Sequence, residues 1–236
     1  MSSRAKGPTK STLPRQSTQR GRSRTSQLIQ DRKRTIWART GLGLLAGIVV
    51  LLVIYLTGGH VTSNSSSAYP FQVGQPAKGS IAPDFTLPSN RGGTFSLAQQ
   101  RGKTVVIFFQ EGIDCQPCWK QLQDIQSNMT AFRHAGISEF VSITTNSVGA
   151  LQQAAKTYST SIPVLSDANL SVSRAYHANS YTMMGTGADG HSFVVVGPSG
   201  RILWRADYGG APNYTMDVPI PILLRQMKAG MAGSGA

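Results

Sequence analysis

The sequence predicts an α/β domain of three layers with a mixed central β-sheet, preceded by one transmembrane helix and a disordered N-terminal tail. Three observations predict it. Strand-like and helix-like stretches alternate from about residue 80 onward, the strand-like run around Val105–Phe109 is apolar throughout, and a long charge-free apolar run lies upstream behind a block of basic residues. A strand with no polar face must be covered on both sides, so the sheet needs layers above and below it.

Residues 1–35 are rich in Ser, Thr, Arg, Lys, Gln and Gly, with almost nothing apolar before Leu28. Such a composition buries too little surface to offset chain entropy, and a disordered basic tail is expected. The chain carries a formal net charge of +13, yet residues 1–40 hold eleven Lys/Arg against one acid, Asp31. The rest carries twelve Lys/Arg against nine acids and is close to neutral. A basic groove on the folded domain is thereby excluded, and no nucleic-acid partner is expected.

Residues 36–59 contain the run Gly41–Leu56, and no charge occurs between Arg39 and Lys78. The apolar length approaches the ~20 residues that a spanning helix needs. Trp37 and Tyr55 sit where interfacial aromatics belong, and Arg39 can snorkel. A cleaved signal peptide is the competing reading, but its basic region would be unusually long and Ser66-Ser67-Ala68 is a weak cleavage site. A retained single-pass anchor is expected, its basic N-terminal side cytoplasmic and its C-terminal bulk extracytoplasmic. Residues 60–79 then read as a flexible tether.

The domain proper is expected over residues 80–228, with a flexible tail at 229–236. Ile81–Leu87 and Thr94–Leu97 alternate around the turn Ser89–Gly93, a hairpin signal. Thr104–Gln110 is the buried strand. Pro117 to about His134 has helical spacing, with Leu122, Ile125, Met129 and Phe132 on one face and Gly136 closing it. Ile137–Thr145 reads as a second central strand, Val148–Tyr158 as a helix, Ile162–Leu165 as an edge strand and Ala168–Tyr176 as a short helix. His191–Val196 and Arg201–Arg205 are strands joined by the turn Gly197-Pro198-Ser199-Gly200, and Pro219–Lys228 is the last helix.

Cys115 and Cys118 are the only cysteines in the chain, set three positions apart where the central strand gives way to a helix. Two thiols so placed can close one disulfide and perform redox chemistry. Cys115 falls at the helix N-cap, where free N–H groups and the positive end of the dipole favour a thiolate. Pro117 suits the first turn, because the N–H it lacks would be unpaired there. On this reading Cys115 attacks a disulfide and Cys118 resolves the mixed disulfide. A static disulfide in so tight a loop adds little stability, and a zinc site lacks two further ligands at motif spacing. Glu111 and Asp114 flank the pair as candidate proton relays, although acids there also simply solvate a turn. Trp119 is expected to cover the disulfide and pack on the helix–sheet seam.

Ala82-Pro83-Asp84-Phe85-Thr86-Leu87, Leu97, Arg101-Gly102-Lys103 and Val105–Phe109 ahead of Cys-x-x-Cys resemble the redoxin branch of the thioredoxin superfamily. That branch holds the peroxiredoxins (alkyl hydroperoxide reductase/thiol-specific antioxidant family) and the membrane-anchored TlpA/ResA-like thiol–disulfide oxidoreductases. The resemblance implies a thioredoxin-like fold, no cofactor, client proteins with disulfides, and a membrane electron donor of CcdA type. It also implies a test between the two activities. Peroxiredoxins carry Pro-x-x-x-Thr-x-x-Cys and a distant Arg; here the Pro, Thr and Arg positions hold Phe108, Gly112 and Gly190. Peroxidase activity is therefore not expected, leaving an antioxidant relative as an alternative only at family level. The thioredoxin-like enzymes place a cis-proline opposite the pair, whereas this chain reads Gly187-Ala188-Asp189-Gly190-His191-Ser192. His191 is expected to face Cys115 across the site. Cys115, Cys118 and His191 also resemble the Cu(I) ligands of copper chaperones for cytochrome oxidase assembly, which space their cysteines Cys-x-x-x-Cys. A Cu(I) metallochaperone, with copper as its metal, is thus the second function, and a redox-inert interaction domain the third.

Overall fold

The computed structural model describes residues 69–232. The expected tail at 1–35, the expected spanning helix at 36–59 and the start of the expected tether lie outside the described residues. Among the described residues no helix is long and apolar enough to cross a membrane.

Apolar, β-branched and aromatic side chains build β3 (Val105–Phe109), whose five residues are all buried. Around it stand β4 (Glu139–Thr144), β5 (Val164–Ser166), β6 (Ser192–Val196) and β7 (Ile202–Asp207). The sheet order is β5-β4-β3-β6-β7, with β4 and β5 parallel to β3, β6 antiparallel to β3, and β7 antiparallel to β6. This is the mixed sheet of a thioredoxin-like fold. The hairpin β1 (Thr86–Pro88) and β2 (Thr94–Ser96) forms a separate two-stranded ribbon. The helices are α1 (Gln116–Ser127), α2 (Met129–His134), α3 (Val148–Thr157), α4 (Ser171–Ala175) and α5 (Ile220–Met231).

Alternation along β3 divides the core in two. Val106 and Phe108 point to a layer of helices, meeting Trp119, Leu122, Leu151 and Leu223. Val105, Ile107 and Phe109 point to the other side, meeting Phe85 and Leu87 of the ribbon region and Val172 and Tyr176 around α4. The expected three layers are present, the second cover being a ribbon and one short helix.

Several boundaries differ from expectation, each for a local reason. The helix expected over Pro117–His134 breaks at Asn128, whose backbone leaves the helical region (φ −112°, ψ 16°) while its Nδ2 bonds the Asp124 carbonyl. The helix expected over Ala168–Tyr176 is trimmed to Ser171–Ala175, because the Asp167 carboxylate caps it by accepting from the Val172 and Ser173 N–H groups. The last helix runs on to Met231, past the expected Lys228. Residues 69–79, expected in the flexible tether, are instead strapped along β7. Gln72 pairs with Asp207, and Gly79 N–H donates to the Ile202 carbonyl at 2.8 Å. A buried ion pair beneath the strap holds it: Arg205 Nε meets Asp207 at 2.8 Å, Asp207 accepts from Gly74 N–H at 2.7 Å, and Arg205 Nη1 donates to the Gln75 carbonyl at 2.7 Å.

Candidate functional site

The site is built where β3 ends. Its parallel neighbour β4 ends at the same edge of the sheet and β6 starts there, and the turn Gln110–Asp114 delivers Cys115 to the N-cap of α1. The two cysteines are joined, with an S–S distance of 1.99 Å and a Cα–Cα separation of 5.3 Å. Cys118 N–H lies 3.3 Å from Cys115 Sγ. Cys118 is fully buried while Cys115 keeps 8% of its surface, so Cys115 is the more accessible of the two. Pro117 stands in the first turn of α1 and is exposed beside them. On reduction, the Cys118 N–H that already faces Cys115 Sγ and the positive end of the helix dipole favour a Cys115 thiolate.

Gly112 takes φ +105°, a region that side-chain-bearing residues rarely enter. A Cβ there would overlap the Asn146 amide oxygen and come to 2.9 Å from Thr144 Oγ1. Asn146 occupies that space to hold the turn, accepting from Ile113 N–H at 3.0 Å and from Thr144 Oγ1 at 3.2 Å. Gly190 is equally closed, since a Cβ there would overlap the Tyr181 carbonyl. As their neighbours stand, neither glycine has room for a side chain.

Trp119 is fully buried; its indole N–H donates to the Gly112 carbonyl at 3.1 Å, and its ring stacks on Tyr158 at 5.2 Å between centroids. It ties the turn to the helical layer, as the seam position suggests. Beside Pro117 lies a cleft of about 480 Å³ lined by Gln116, Pro117, Lys120, Gln123, Tyr158 and Asp217. Lys120 spans it with ion pairs to Asp217 at 3.0 Å and to Asp124 at 2.5 Å.

Glu111 does not turn toward the cysteines' protons. Its buried carboxylate accepts from Thr182 Oγ1 at 2.8 Å and Met183 N–H at 2.5 Å, holding the loop before β6. Asp114 is exposed.

His191 is fully buried among aromatic rings, with Phe108 at 4.7 Å, Phe193 at 5.4 Å and Tyr208 at 6.4 Å between centroids. Its Nε2 meets Gln121 Oε1 at 3.3 Å, and Nδ1 has no partner. Gln121 Oε1 also accepts from Val218 N–H at 2.6 Å, so Nε2 carries the proton and Nδ1 the bare lone pair. Burial pushes the His191 pKa down to about 3, and the ring stays neutral. The Cu(I) set of Cys115, Cys118 and His191 is not assembled: among the described residues no three His, Cys, Asp or Glu side chains are grouped to hold a metal ion.

Asp189, two residues earlier, is buried with neither carboxyl oxygen hydrogen-bonded. Burial pushes its pKa up to about 8, with Ser173 acting the other way and the Asp167 carboxylate adding to the rise. Asn146, Gln121, Thr182 and Asp189 were not singled out from the sequence. Gln121 alone left a signal, being polar one helical turn after Cys118, on a face that is otherwise apolar.

A family model described as AhpC/TSA matches residues 78–205. Peroxiredoxin Q of Triticum aestivum is 32% identical over 94 residues, 40% of this chain and 43% of that protein, so the chain spans less than half of its length. The thiol-disulfide oxidoreductase ResA of Bacillus subtilis is 29% identical over 146 residues, 61% of this chain and 74% of that protein. Among solved structures, peroxidoxin BcpB of Mycobacterium tuberculosis superposes with a TM-score of 0.55 at 21% identity, covering 65% of this chain and 97% of that one, a likeness of fold.

Proposed function

The chain belongs to the AhpC/TSA family, and from that premise we propose that it is a thiol–disulfide oxidoreductase reducing client disulfides rather than a peroxidase. One observation carries the reading. The Cys115–Cys118 pair sits at a helix N-terminus with Cys115 the more accessible of the two, while the positions for a peroxidatic Thr and Arg are the glycines Gly112 and Gly190, closed by Asn146 and Tyr181. The likeness to ResA supports the same side of the choice.

The reaction balances within the pair. The Cys115 thiolate attacks one sulfur of a client disulfide; that S–S bond breaks, a Cys115–client bond forms, and the departing client thiolate takes a proton. Cys118, losing its proton, then attacks Cys115 Sγ and releases the second client thiol. Two electrons pass to the client, and the enzyme is left with the disulfide seen here. Renewal requires an external dithiol donor, for which a CcdA-type membrane partner is the proposal that the resemblance supplies. The proposed setting is extracytoplasmic, on a single-pass anchor at residues 36–59, where disulfides persist.

Trapping tests the reading. Cys118→Ala should accumulate a mixed disulfide between Cys115 and a disulfide-containing peptide, and Cys115→Ala should accumulate none. Failure of Cys118→Ala to form the adduct would reject it. Tight Cu(I) binding lost in His191→Ala would favour the metallochaperone instead.

A further inference from the structure

The cysteine pair follows the end of β3. A second cleft lies at the opposite end of the sheet, where β4 begins beside the start of β3 and the chain enters β5. Its volume is about 460 Å³, the size of a small-molecule cleft. Two arginines reach it from separate elements, Arg91 from the turn between β1 and β2 and Arg133 from the last turn of α2. Its one acid, Glu139, is already paired with Lys103 Nζ at 3.0 Å, so the two guanidinium charges stand unbalanced. Buried Phe140 and Ile162 supply an apolar lining.

The cations are positioned by the fold. Asn90 N–H donates to the Val164 carbonyl at 3.0 Å and Asn90 Oδ1 accepts from Val164 N–H at 3.0 Å, which stitches the turn to the edge of β5. Arg91 Nη1 then donates to the Ser161 carbonyl at 3.2 Å, leaving the other N–H groups of its guanidinium unspent. Gln126 of α1 fixes the same wall, its Oε1 accepting from Ser161 N–H at 2.5 Å and from Ser161 Oγ at 2.9 Å. The Arg133 side chain makes no hydrogen bond or ion pair among the described residues. Two fixed cations around one cleft, with no free acid between them, focus a positive potential that an anion relieves.

Guanidinium forks match the oxygens of phosphate, and a phosphate monoester carries close to two negative charges at neutral pH. A carboxylate, with one charge and two oxygens in a plane, satisfies only one fork. We propose that this cleft is a second ligand site, for a phosphate monoester held by Arg91 and Arg133 with its organic part against Phe140 and Ile162. The site uses neither cysteine and goes beyond the oxidoreductase reading. A soluble ester and the headgroup of phosphatidic acid present the same group, and the test separates them.

The full chain is titrated with sn-glycerol 3-phosphate at about 0.15 M salt, where long-range attraction to the basic residues at 1–40 is screened. Binding should saturate and slow hydrogen exchange of the amides at 127–133 and 159–162. Arg91→Gln and Arg133→Gln should each weaken it about tenfold, the loss of one charge-assisted pair. Arg133→Lys, which keeps the charge without the fork, should fall between. Arg133→Gln removes no bond of the fold, so its result is independent of any role of Arg91 in the turn. Arg225→Gln, which removes an exposed arginine of α5 outside the cleft, should leave affinity unchanged. Protection of the same amides by phosphatidic acid vesicles, and not by the free ester, assigns the site to a lipid headgroup; the reverse assigns it to a soluble ester. No protection by either, an equal loss in Arg225→Gln, or an affinity untouched by Arg133→Gln overturns the site.

Discussion

Two glycines shape the turn and loop beside the cysteine pair, and two buried ionisable residues lie next to them in the fold. Gly112 and Gly190 each have their Cβ space filled by a neighbour, Asn146 in one case and Tyr181 in the other, and the proposed preference for disulfides over peroxide rests on that closure. His191 and Asp189 set a pH dependence of stability. Asp189 has its folded pKa raised from 3.8 to about 8, so the stability it allows is fully present below about 4 and is lost as pH rises toward 8. His191 has its pKa lowered from 6.5 to about 3, so its contribution is present above about 6.5 and is lost as pH falls toward 3. Between about 4 and 6.5 the two slopes oppose each other. Thermal melts across pH should therefore show a plateau in that window, with Tm falling from pH 6.5 to 8. Asp189→Asn should raise Tm at pH 7.5 and remove that upper fall. An unaltered pH profile in the variant would contradict the assignment.

Among the elements, the strap along β7 is the one that alters the molecule's outline. A stretch with the composition of a tether reads as flexible because nothing in Gly74-Gln75-Pro76 alternates or repeats. What orders it lies far downstream: the backbone of Ile202 and Asp207, and the buried Arg205–Asp207 pair that bonds Gly74 and Gln75. Removing one partner of a buried ion pair costs roughly 3–5 kcal/mol. Arg205→Met should thus lower the unfolding free energy from denaturant titration by that order and release Gly74 and Gly79 amides to fast hydrogen exchange; a loss under about 1 kcal/mol would show the strap to be incidental. The contrast with β3 is instructive. Val105–Phe109, the Cys pair at a helix N-cap and the hairpin turn were legible because each depends on its own few residues. The break at Asn128, the packing of His191 against Gln121 and the clamp of Glu111 on Thr182–Met183 depend on partners from distant elements, and a single sequence does not pair them.

At the scale of the whole molecule, a sheet covered by helices on one side and a ribbon on the other brings the ends of β3 and β4 and the start of β6 to one edge. That edge joins Cys115, its more deeply buried partner Cys118, a turn locked by Asn146 and Trp119, and a loop held by Glu111. The chain thus has the fold of its AhpC/TSA family and a joined Cys115–Cys118 pair at that edge. The most direct measurement is the rate at which the reduced full chain loses its Cys115 thiolate to a disulfide-bonded peptide and, separately, to hydrogen peroxide. The account predicts rapid, Cys115-dependent transfer of two electrons to the peptide and a peroxide rate no faster than that of an ordinary free thiol. Peroxide consumption outpacing disulfide reduction, and abolished by Cys115→Ala, would contradict it.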